Sequence, residues 1–93
     1  MRVIINLVSG RAIKSSSWRA SAIQIQGKNE ASLSEVLQAA ILRDSRSLFD
    51  LIVEKDRLKS DWSLYVDGSM LPGGSSIERA VKDNVQIHVM DSL

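Results

Sequence analysis

The spacing of apolar and polar residues changes rhythm several times along the chain, and each rhythm predicts an element. In "RVIINLVSG" β-branched residues dominate and the stretch closes at Gly10, as expected of a buried strand ended by a turn. Side chains alternate across a strand, so Val3, Ile5 and Leu7 share one face and Arg2, Ile4, Asn6 and Val8 the other. "SAIQIQG" alternates cleanly, with Ile23 and Ile25 on one side and Gln24 and Gln26 on the other, which predicts a strand with one wet face. A polar loop joins the two, and together they read as a hairpin. "SLSEVLQAAILRD" then switches to the helical period. Ser32 and Glu35 have capping-box spacing, and Leu33, Val36, Leu37, Ala40 and Ile41 fall on one helical face. Arg43 near the end suits the helix dipole.

"SLFDLIVEKDRLKSD" leaves two readings open. Leu48 to Val53 fit a second short helix or a buried strand, and periodicity alone does not choose. "WSLYVDG" is a strand running into a turn at Asp67-Gly68. "MLPGGSSIERAVKDN" predicts a loop with one helical turn around Ile77 to Val81, and "VQIHVM" a last strand with Val85, Ile87 and Val89 on one face. The helix cannot stand alone with its apolar stripe in water, so it must lie across a sheet. Hairpin, helix and later strands joining the same sheet describe an α+β fold of the β-grasp type. The expectation is a mixed four- to five-stranded sheet with one main helix on one face, spanning residues 1–93 as one domain.

Composition narrows the function more than it names it. A chain of 93 residues buries one modest core. Its net charge of +1 argues against a nucleic-acid partner, because affinity for phosphate backbones needs clustered excess Lys and Arg. The absence of cysteine removes disulfides, thiolate metal sites and thiol nucleophiles, and fits a reducing cytoplasm. No apolar run reaches the length of a membrane span, and "MRVIINLVSG" lacks the length and cleavage pattern of a signal peptide.

Some of these residues resemble a known family. The block "LFDLIVEKDRLKSDWSLYVDG", with its leucine-rich segment and a strand ending Val66-Asp67-Gly68, is similar to the middle of the MoaD/ThiS-type ubiquitin-like proteins. The turn Asp83-Asn84-Val85 resembles the turn that leads into their last strand. The resemblance implies a β-grasp fold and a sulfur-carrier role in molybdopterin, thiamine or tRNA thiolation, with an adenylating enzyme as partner. In that family the last strand runs into a flexible tail ending in two glycines, which threads a narrow channel because glycine leaves room for backbone alone. Here the chain reads Asp91-Ser92-Leu93, so no C-terminal thiocarboxylate is expected. Gly73-Gly74 precedes a core strand, and "LPGGSS" reads as a turn.

Catalytic chemistry finds few candidates. His88 is the single histidine and alternates onto the Gln86/Met90 side of its strand, away from the core. A Ser-His-Asp arrangement would need it beside a serine and a carboxylate in a cleft. "EKDRLKSD" interleaves its carboxylates with Lys55, Arg57 and Lys59, as a solvated surface does and a calcium loop does not. "SGRAIKSS" lacks the glycine and spacing of a phosphate loop. No metal site, no cofactor and no enzymatic activity are expected. The expected role is a non-catalytic protein-binding module that docks through its exposed sheet face, carried by Ile4, Tyr65, His88 and Met90. Arg11, Lys14, Trp18 and Arg19 form a basic-aromatic loop and a secondary contact candidate, although a Trp folded back onto the core edge explains it as simply.

Overall fold

In the computed structural model the described residues are 1–8, 20–27 and 29–91. The loop with Arg11, Lys14, Trp18 and Arg19 lies outside them. The chain opens with strand β1 (Arg2–Val8) and strand β2 (Ala20–Gln24), followed by a short strand β3 (Glu30–Ser32). Helix α1 (Leu33–Leu37) continues as one π-helical turn (Gln38–Leu42), and helix α2 (Arg46–Ile52) follows. A small hairpin, β4 (Val53–Glu54) and β5 (Arg57–Leu58), leads to β6 (Trp62–Val66) and β7 (Ser69–Leu71). Strands β8 (Ala80–Lys82) and β9 (Val85–Asp91) complete the chain.

The main sheet has five strands in the order β2-β1-β9-β6-β7. β1 and β9 lie side by side and parallel at its centre, in register Val3↔Val85, Ile5↔Ile87 and Leu7↔Val89. β2 pairs antiparallel with β1, and β6 antiparallel with both β9 and β7. The expected hairpin is present, and Ile25 extends its ladder through mutual hydrogen bonds with Met1 (2.7 and 2.9 Å). Asp67 and Gly68 both take positive φ (50° and 84°), the type I′ geometry that a two-residue hairpin requires.

One core unites sheet and helices. Val3, Ile5, Trp62, Leu64, Val85, Ile87 and Val89 meet Leu33, Val36, Leu37, Ala40 and Ile41 of the helical segment, all of them buried. The helix starts where the capping box predicts: Ser32 Oγ accepts from the Glu35 N–H (3.1 Å) and Glu35 Oε1 from the Ser32 N–H (3.4 Å). Its other free amides find unexpected partners. Leu33 donates to the Arg79 carbonyl (2.8 Å) and Ser34 to the Ile77 carbonyl (2.7 Å).

That arrangement corrects the helical turn expected over Ile77 to Val81. The Ile77 and Arg79 carbonyls serve the first turn of α1 in place of a helix of their own, and the segment bends at both residues before entering β8, which pairs with β3. The open question at Leu48 to Val53 resolves as helix followed by strand. Ser45 Oγ caps α2 by accepting from the Leu48 N–H (3.3 Å), and Leu48 and Ile52 bury one face at i,i+4 spacing. Val53 then begins β4. The fold is thus α+β with a mixed five-stranded sheet and two helices, where one main helix was expected.

Candidate functional site

The register of the central strands assembles the site. Residues that pair directly across strands point to the same side of a sheet. On the side opposite the core, His88 sits between Asn6 of β1 and Tyr65 of β6. Asn6 in turn faces Ala20, and Tyr65 faces Met70. The result is one row across all five strands: Ala20, Asn6, His88, Tyr65, Met70. To one side of this row Ala22, Ile4 and Gln86 align, and to the other Val8, Met90 and Ser63.

Ile4, Tyr65, His88 and Met90, expected on one face, are therefore brought together on it, each half-buried. Sequence reasoning missed Met70 and the role of Asn6. Met70 sits two residues after the Asp67-Gly68 turn, and counting back across that hairpin would have placed it opposite Tyr65. Among the described residues, the large apolar side chains more than half exposed are Val8 (51%) and Met70 (56%), and both belong to this face. The face bears little formal charge. Arg2 and Asp67 mark one end of it, and the Asp67 carboxylate is turned onto the Gln86 backbone N–H (2.8 Å).

That same end is tied by a second carboxylate. Asp83 Oδ1 accepts from the Arg2 backbone N–H (2.6 Å) and from the Asn84 N–H (3.1 Å). The bond from Arg2, above all, holds the Asp83 carboxyl below its usual range. The nearby N-terminal ammonium, the Asn84 N–H and the Arg2 guanidinium act in the same direction, and desolvation opposes them. The latch fixes the start of β1 against the turn that precedes β9.

Two shallow grooves lie elsewhere. One, of about 400 Å³, follows the β4–β5 hairpin from Glu54 to Ser60 and reaches Gly74. Its charges alternate in sign, and Arg57 is occupied by the Gly74 carbonyl (3.0 Å). The other, of about 260 Å³, runs between Val66–Ser69 and Arg79–Lys82. Among the described residues no cluster of His, Asp or Glu is arranged to hold a metal ion, and no helix is long and apolar enough to cross a membrane. Gly73 is packed against the fold, where a Cβ would come within 2.5 Å of the Ser60 carbonyl oxygen, while Gly74 is exposed, has φ +86° and donates to the Leu58 carbonyl (2.9 Å). No protein-family model, curated protein or solved structure matches the chain.

Proposed function

We propose that this chain is a ubiquitin-like β-grasp domain, akin to the MoaD/ThiS type, that acts without catalysis as a protein-binding module through its open sheet face. The strand order, with the first and last long strands parallel at the centre and a helical layer on one side, supports the β-grasp reading. The observation that carries the functional reading is the placement of Val8 and Met70. Both are more than half exposed, and both share the face of Ile4, Tyr65, His88 and Met90. Aromatic, Met and uncharged polar side chains on a firm sheet suit the centre of an interface, where charged residues are depleted. The sulfur-carrier alternative gains nothing from Gly73-Gly74, since Gly73 packs against the Ser60 and Trp62 carbonyls and Gly74 is hydrogen-bonded to the Leu58 carbonyl, ahead of the core strand β9.

The test is site-directed photo-cross-linking in the source cell. A photo-reactive residue at Val8 or Met70 is expected to capture a discrete protein partner, and one at Arg46 on α2 is not. Capture from Arg46 alone would move the docking surface to the helical side. Incubation with a MoeB/ThiF-type activating enzyme, ATP and a sulfur donor addresses the alternative, because a sulfur-for-oxygen gain in intact mass would revive it.

A further inference from the structure

We infer that Met70 is the oxidation site of this chain, and that its conversion to the sulfoxide by a hydroperoxide releases the protein docked on the open face. The release, though not the oxidation, rests on the open face being the docking surface. Two observations carry the inference: the graded exposure of the methionines and the place of Met70 in the central row.

The three methionines of the sequence sit at different depths. Met1 is buried at 6% exposure, Met90 is half-buried and Met70 is 56% exposed. The strand order explains the grading. β9 is central, and Met90 has Val8 on one side and Ser63 on the other. β7 is the edge of the sheet, so among the described residues Met70 has a cross-strand neighbour on one side alone, Tyr65. Oxidation of a thioether follows the access of the oxidant, so the chain holds one reactive methionine and two shielded references.

The step is an oxygen transfer. A lone pair of the Met70 sulfur attacks the outer oxygen of the hydroperoxide. An S–O bond forms, the O–O bond breaks, and the proton of the transferred oxygen passes to the leaving oxygen. The sulfur is oxidised to the sulfoxide, and the hydroperoxide is reduced to water or an alcohol. Cysteine is absent from the sequence, so no thiol of this chain competes for the oxidant.

The consequence follows from the row. Met70 faces Tyr65, whose other neighbour is His88, so its thioether carries the apolar and aromatic surface to the edge of the sheet. Oxidation turns that apolar end polar and chiral. A sulfoxide oxygen covered by an interface must find a donor or stay unpaired at a cost in binding. The change is local. An exposed side chain on an edge strand carries little of the fold, so the domain stays folded while its face alters. Methionine sulfoxide reductases reverse the step, which makes it a switch.

The probe is hydrogen peroxide, applied in graded amounts to the folded full chain carrying a photo-reactive residue at Val8 and then removed. Peptide mass mapping is expected to find Met70 oxidised first, Met90 later and Met1 last, with the melting temperature nearly unchanged while Met70 alone is oxidised. Cross-linking from Val8 in an extract of the source cell should then fall about tenfold and return after treatment with methionine sulfoxide reductase. Met70→Leu keeps the apolar bulk and removes the oxidisable sulfur, so it should cross-link equally before and after peroxide. Met90→Leu should stay as sensitive as the unsubstituted protein. Oxidation of Met90 or Met1 ahead of Met70 overturns the site. Cross-linking that survives complete oxidation of Met70, or that peroxide still abolishes in Met70→Leu, overturns the switch. If Met70 oxidises first but the untreated chain cross-links nothing from Val8, the docking reading falls and the release with it, while the oxidation site stands.

Discussion

The two faces of β9 share one backbone and meet opposite fates. Val85, Ile87 and Val89 are buried against the helices, while Gln86, His88 and Met90, each one residue away, reach solvent. Strands that pair in parallel are usually covered on both sides. Here, among the described residues, the parallel β1–β9 pair is covered by helices on one side only, and the sequence of β9 alternates to match. A slip of one residue would exchange the two sets, so the core face fixes the register and with it which side chains reach solvent.

The sharpest way to break this comparison is to cut the core. Ile87→Ala and Leu37→Ala remove fully buried side chains and should each cost about 2–5 kcal/mol in a denaturant titration. Gly73→Ala comes next. Its Cβ would press on the Ser60 and Trp62 carbonyl oxygens at 2.5 and 2.7 Å, so a loss of about 1–3 kcal/mol is expected. Gly74→Ala meets open space but must hold φ +86°, which should cost about 1–2 kcal/mol. Tyr65→Ala on the open face should cost only about 0.5 kcal/mol, as for a surface site, while impairing association. A loss as large as that of Ile87→Ala would show that the two faces do not divide their labour.

The smallest effect concerns Asp83. Its carboxyl is held below the unfolded value, so its contribution is present above that value, near pH 4, and disappears as pH falls through the lower folded one. Asp83→Asn should flatten the acid limb of a melting-temperature profile. An acid limb identical to that of the unsubstituted protein would show that the latch to Arg2 contributes nothing.

Much of this architecture is legible in the residues themselves, for reasons that differ along the chain. The capping box at Ser32 and Glu35 is a local signal, and it places the start of α1 correctly. Alternation in β9 places His88 on the open side without any tertiary information. The segment 77–81 defeats local reading because its conformation is set by bonds to Leu33 and Ser34, far away in sequence. The row through Ala20, Asn6, His88, Tyr65 and Met70 draws on four separate stretches of chain. Its members can be guessed singly, but only the pairing register puts them in line.

The parallel pairing of β1 with β9 also governs when the domain can form. Val3 must wait for Val85, so the central contact of the sheet spans nearly the whole sequence. Contacts of such range make folding slow, because the entropy of closing the chain is lost before the pairing returns anything. On the ribosome, β1 and the apolar stripe of α1 emerge early and stay without their partner until the last strand follows. For that interval the nascent chain presents an unpaired strand edge and an uncovered apolar helix, the two features that most invite aggregation or a chaperone.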